Sequence, residues 1–120
     1  MSIQEIAARL VELCRQGQYE TAQRELYAED AISIEPEGAK GFPDAKNLAG
    51  IIEKGAAFRA MIEEVHGGSV SDPVIAGDHF SISLIFEATF KGLGRQKMEE
   101  IVVYRVKDGK IVLERFFYTV

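Results

Sequence analysis

The chain has 120 residues, 47% hydrophobic and 28% charged, a length and balance that suit one folded domain and exclude a disordered chain. Fourteen Lys and Arg against nineteen Asp and Glu leave a formal charge of −5, which repels polyanions and argues against a nucleic-acid partner. The lone Cys14 rules out an internal disulfide, and no apolar run is long enough for a leader or a membrane span, so a cytoplasmic protein with no membrane partner is expected.

Ile3, Ile6, Ala7, Leu10, Leu13 and Cys14 recur at spacings of three and four, which predicts a helix over 2–15 with one apolar stripe. Ser2 followed by Glu5 supplies a capping box, and Gly17 the stop. A second helix is expected over 19–27, with Ala22, Leu26 and Tyr27 inward, ending at the acidic pair Glu29-Asp30. Residues 31–35 then read as a short strand closed by Pro36, which cannot donate to a ladder. Pro36, Gly38, Gly41 and Pro43 make 36–47 a loop, of a length that often covers a pocket. Helical spacing returns over 48–65 through Ile51, Ile52, Phe58, Met61 and Ile62, and Gly67-Gly68 ends it.

The remainder is β-rich. Strands are expected over 69–76, 79–91, 96–107 and 110–120, joined at Gly77-Asp78, Gly92 to Gly94 and Asp108-Gly109, which makes a meander of hairpins. Helices first and long strands afterwards argue for α+β and against a parallel βαβ sheet. With a three-residue loop at Gly92 to Gly94 and a glycine bulge at Asp108-Gly109, Phe86 pairs with Glu100, Tyr104 with Val112, Val102 with Glu114 and Glu100 with Phe116. One face then carries Phe80, Ile82, Leu84 and Phe86 from one strand, and Met98, Glu100, Val102 and Tyr104 from the next. Val112, Glu114, Phe116 and Tyr118 complete it from the last. A two-residue turn at Asp108-Gly109 shifts this parity. The face is apolar apart from two acids and the tyrosine hydroxyls, as a small-molecule pocket usually is. The opposite face carries Ile101, Val103, Ile111, Leu113 and Phe117, so a second copy of the chain is expected to cover it, as a homodimer through the outer sheet face.

The stretch GQYETAQRELYAEDAISIEP (17–36) and the final VYRVKDGKIVLERFFY (103–118) resemble the helix, acidic turn, first strand and last hairpin of SnoaL-like proteins, within the nuclear transport factor 2-like superfamily. The resemblance implies one domain over 1–120, with N-terminal helices packed on a strongly curved antiparallel sheet as a cone-shaped half-barrel around an internal pocket. Polyketide cyclases, ketosteroid isomerases, dehydratases and non-catalytic binding proteins share that fold, so fold alone settles little about function. The isomerase pattern of an Asp-Ala pair, a strand and an acid before Pro is similar to residues 30–36 and puts Glu35 at the general-base position. It puts Val102 and Leu10 where the isomerase uses a protonated Asp and a Tyr. Two oxyanion donors worth roughly 3 to 4 kcal/mol each are thereby missing, which argues against ketosteroid isomerisation.

Glu35 is the first candidate for catalysis, with a solvated strand-end acid as the plainer alternative. Glu100, between Met98 and Val102 on the apolar face, needs a partner or its proton, unless it stands at a wet strand edge. His66 is a weaker candidate, as proton carrier or as cap of the third helix. Tyr27, Phe58, Ile82, Leu84, Phe86 and Met98 are expected as ligand contacts, together with Val102, Tyr104, Glu114, Phe116 and Tyr118. His79 reads as surface and Cys14 as a small buried hydrophobe. No metal-type spacing, phosphate-cradling glycine loop or nucleophile triad is present, so no metal or other cofactor is expected. The expected function is a pocket for a small apolar or carbonyl-bearing molecule, with isomerase, cyclase or dehydratase chemistry through Glu35 and Glu100. The alternatives are a non-catalytic binding protein for a hydrophobic ligand and a protein-interaction module.

Overall fold

The first helix, α1 (Ile3–Arg15), begins where the sequence places its cap. In the computed structural model, which describes residues 1–120, Ser2 Oγ accepts the Glu5 N–H at 3.1 Å and Glu5 Oε1 accepts the Ser2 N–H at 2.9 Å. Ile6, Ala7, Leu10, Leu13 and Cys14 form its buried stripe, and Gly17, at φ +72°, turns the chain out of it. Helix α2 (Tyr19–Leu26) stops one residue earlier than expected, and strand β1 (Tyr27–Ile34) starts earlier. Tyr27 pairs with Ile111, a partner 84 residues away that no local pattern reveals.

Helix α3 (Leu48–Ala60) is capped by Asn47, whose Oδ1 accepts the Gly50 N–H at 2.8 Å. It ends well before Val65, because Ile62 and Val65 pair with Phe90 and Ala88 in strand β2 (Ile62–Val70). Both residues are β-branched, and a ladder to an existing strand outweighs their weak helical spacing. Pro73 separates β2 from β3 (Val74–Ala76), where one strand over 69–76 was expected. Then come β4 (His79–Phe90), β5 (Gly94–Lys107) and β6 (Lys110–Phe117). The sheet runs β1-β6-β5-β4-β2, with β3 on β4; β1 is parallel to β6 and all other pairs are antiparallel. It is curved and unclosed, with register irregularities in β1, β2 and β5 that bend strands locally. No helix is long and apolar enough to cross a membrane.

Both long hairpins differ from the expected register, yet the shared face survives. The β4–β5 loop has the expected three residues but they are Lys91 to Leu93, so Phe86 faces Met98, Leu84 faces Glu100 and Ile82 faces Val102. At the last hairpin the turn is the two-residue kind, with Asp108 and Gly109 both at positive φ and Lys107 paired to Lys110. That alone reverses parity, but a bulge between Arg105 and Val106 restores it, so Tyr104 faces Glu114 and Val102 faces Phe116. On the turn side of the bulge the reversal stands. Ile111, expected outside, is fully buried, while Val112, expected inside, is only half-buried.

The α1 stripe packs on Phe80, Ile82, Val102 and Tyr104, the Phe80 and Tyr104 rings stacking at 4.8 Å. On the outer face Ile101 and Phe117 stay 52% and 45% exposed.

Candidate functional site

Beyond the closed core, between the helices and the inner side of β4 to β6, lies a cavity of about 720 Å³. Its walls are mostly aromatic and aliphatic. Phe58 of α3 anchors one side, its ring 5.6 Å from Phe42, 6.1 Å from Phe86 and 5.6 Å from Phe90. Leu84, Met98 and Phe116 floor it from three adjacent strands.

Polar groups enter this apolar space as one connected chain. Glu114 on β6 is 4% exposed; it accepts the Tyr27 hydroxyl on one oxygen and the Ser33 hydroxyl, at 2.8 Å, on the other. Strand β1 supplies Ser33 and ends just before Glu35, whose backbone N–H is held by Asp44 Oδ1 at 2.7 Å. Lys54 of α3 donates to Ser33 Oγ at 2.7 Å and to Glu35 Oε2 at 2.9 Å. Tyr118 donates to Glu35 Oε1 at 2.6 Å. Both Glu35 oxygens are therefore occupied by donors, and its ion pair with Lys54 is only 11% and 12% exposed. Burial raises the pKa of Glu114, against the lowering effect of Tyr27 and Ser33. Burial likewise pushes the Tyr27 and Tyr104 hydroxyls well above their ordinary value and the Cys14 thiol up to about 12, so none of the three is ionised at neutral pH.

Glu100 stands outside that chain. It lies on the inner face of β5 opposite Leu84 and lines the cavity. Its pKa is raised to about 7, first by burial, then by the negative charges of Glu35 and Glu114, with Lys54 opposing. A carboxyl poised there exchanges its proton readily near neutrality.

Both acids singled out from the sequence, Glu35 and Glu100, thus reach the same cavity, as do Tyr27, Phe58, Leu84 and Phe86, and also Met98, Tyr104, Glu114, Phe116 and Tyr118. Ile82 and Val102 do not: at 2% and 0% exposure they lie within the core packed under α1, two pairs along the ladder from Leu84 and Glu100. His66 is neither a cavity residue nor a helix cap. It sits within β2, its Nε2 2.6 Å from Thr89 Oγ1, and Thr89 has the outward parity of β4. His79 is exposed beside Asp78, at 2.7 Å. Lys54, Ser33, Gln23 and Tyr19 were missed. Lys54 carried a readable signal, since it falls three residues after Ile51 and four before Phe58, on the buried stripe of its helix. Ser33 carried none, because a serine alternating with Ala31 looks the same on either face.

A family model described as SnoaL-like domain matches residues 1–118. Among solved structures, a candidate SnoaL-like polyketide cyclase from Mesorhizobium loti, also described as a carbohydrate phosphatase, is 36% identical with a TM-score of 0.91, over 98% of this chain and 100% of that one. IdmH, a candidate polyketide cyclase from Streptomyces antibioticus, is 25% identical with a TM-score of 0.69, over 94% and 88%. An NTF2-like protein of unknown function from Burkholderia pseudomallei shares the fold at 13% identity and a TM-score of 0.78, over 99% and 92%. No curated protein matches the chain.

Proposed function

The chain belongs to the SnoaL-like domain family, and from that premise we propose that its cavity binds a small apolar or carbonyl-bearing molecule and moves a proton on it, as a cofactor-independent isomerase, cyclase or dehydratase would. The observation that carries this reading is Glu100, a cavity carboxyl whose pKa is raised to about 7. Protonated, it donates to a carbonyl oxygen; ionised, it takes a proton from the adjacent carbon. Glu35 acts as the second carboxyl, fixed by Lys54 and Tyr118, and its charge helps to hold the Glu100 proton. The Mesorhizobium and Streptomyces proteins are described as candidate polyketide cyclases, and cyclisation through an enol begins with such a proton removal. Phosphatase chemistry has less support, since Lys54, Arg15 and Arg59 are already engaged by protein acceptors.

The test is deuterium exchange at the carbons beside the carbonyl of β-tetralone, followed by proton NMR. The parent accelerates the exchange, and Glu100→Gln slows it by about a hundredfold or more. Exchange no faster than in buffer, with β-tetralone still bound, leaves a non-catalytic binding protein and overturns the catalytic half of the reading. We further infer that residues 1–120 form one such domain, that it works in the cytoplasm, and that two copies pair through the outer sheet face. The exposure of Ile101 and Phe117 beside half-buried Val103 and Leu113 supports the pairing.

A further inference from the structure

The hydrogen bonds of the cavity wall divide unevenly between donors and acceptors. Every charged donor is committed: Lys54 to Glu35 and Ser33, Arg15 to Val70 and Asp72, Arg59 to Glu20. Two acceptors have no donor. One is the Glu100 carboxyl, which makes no hydrogen bond or ion pair although Glu35 and Glu114 both do. The other is Gln23 Oε1, a buried side-chain acceptor left without a partner in the cavity wall. Gln23 stands one turn along α2 from Tyr19, whose hydroxyl feels the charge of Glu100. A buried acceptor without a donor, as at Gln23, is costly, and the half-buried Glu100 carboxyl is open to a partner from the cavity; a bound molecule satisfies both only if it brings donors of its own.

We propose that the cavity takes a lipophilic amine, its protonated nitrogen paired with the Glu100 carboxylate, its apolar body among Phe58, Phe86 and Phe116, and a further N–H or O–H of the molecule on Gln23. Aromatic walls favour this class, because ring faces attract a cation that has left water. The ion pairing favours it too: of the cations in the wall, Lys54 is paired with Glu35, Arg15 with Asp72 and Arg59 with Glu20, and none with Glu100. An anionic ligand meets the unpaired Glu100 carboxylate there. The groups facing Glu100 are Tyr19 from α2, Glu35 and Tyr118 at the ends of β1 and β6, Tyr104 from β5, Glu114 from β6 and Lys54 from α3. None but Lys54 is a cation. The inference rests on the proposed cavity reading and names the chemical class of its ligand.

Three molecules of one shape test it: naphthylmethylamine, naphthalenemethanol and naphthoate, titrated calorimetrically into the intact protein. At about pH 8, where Glu100 is ionised, the amine binds at least about tenfold more tightly than the alcohol, and the naphthoate binds most weakly. At about pH 5.5 the amine loses that advantage although it is still charged. Glu100→Gln removes the preference for the amine, and a far-ultraviolet circular dichroism spectrum matching the parent's shows that the variant is folded. Equal affinity for amine and alcohol at the higher pH, or a preference that survives Glu100→Gln, overturns the amine assignment and leaves the cavity reading intact. Failure of all three to bind overturns both.

Discussion

Replacing Glu100 by Gln separates a cavity acid from a solvated one without any ligand. Glutamine has nearly the same shape and cannot ionise, so the variant records what the parent loses when Glu100 gives up its proton in place. Folding raises the pKa of this carboxyl from the ordinary 4.5 to about 7. For an acid shifted upward, the folded state holds its proton more tightly than the unfolded state. Its contribution is therefore intact below about pH 4.5, declines between there and about pH 7, and is fully lost above. Each tenfold change in the ionisation constant is worth about 1.4 kcal/mol, so the loss is at most about 3 kcal/mol, and roughly half that if water reaches the half-buried carboxyl. Urea unfolding of parent and variant across this pH range is the assay. Glu35 and Glu114 titrate in both proteins, so subtracting one curve from the other removes them to first order. The variant should gain about 1.5 to 3 kcal/mol on the parent between pH 4 and pH 8. A difference that stays constant within roughly half a kcal/mol refutes the burial argument and, with it, the role given to Glu100.

Other perturbations probe the neighbouring groups. Lys54→Met takes the counter-ion from buried Glu35, which keeps only the Tyr118 hydroxyl, and a donor from Ser33; it should cost about 3 to 5 kcal/mol at neutral pH, while the pair Lys54→Met with Glu35→Gln recovers much of it in a double-mutant cycle of urea midpoints. Tyr27→Phe leaves one oxygen of buried Glu114 without its donor and should cost about 1 to 3 kcal/mol by the same measurement. Gly68→Ala places a methyl carbon 2.3 Å from the Ile85 carbonyl oxygen, so β2 must move off β4; a loss of about 1 to 3 kcal/mol with faster amide exchange along β2 is expected. Val103→Lys with Leu113→Lys should yield a soluble monomer, and sedimentation showing the parent already monomeric at micromolar concentration sinks the proposed dimer.

What the sequence by itself determined is whatever depends on near neighbours along the chain. The capping box at Ser2 and Glu5, the α1 stripe and the glycine-marked hairpins all follow from spacings of a few residues. Strand alternation was enough to put Glu100, Glu114, Phe116 and Tyr118 on one face, because both register errors preserved parity. Tertiary structure decided the rest. Tyr27 becomes a strand residue because Ile111 is there to pair with it, and Ile62 to Val65 leave the helix for the edge of β4. The two-residue turn buries Ile111 and leaves Val112 half-buried, and a bulge between Arg105 and Val106, invisible in composition, restores the expected parity beyond them. The polar chain from Tyr27 through Glu114, Ser33, Lys54 and Glu35 to Tyr118 joins β1, α3 and the end of β6. No periodicity encodes such a chain, because hydrogen bonds between distant segments depend on where those segments pack, and local pattern constrains only the direction each side chain leaves its own backbone.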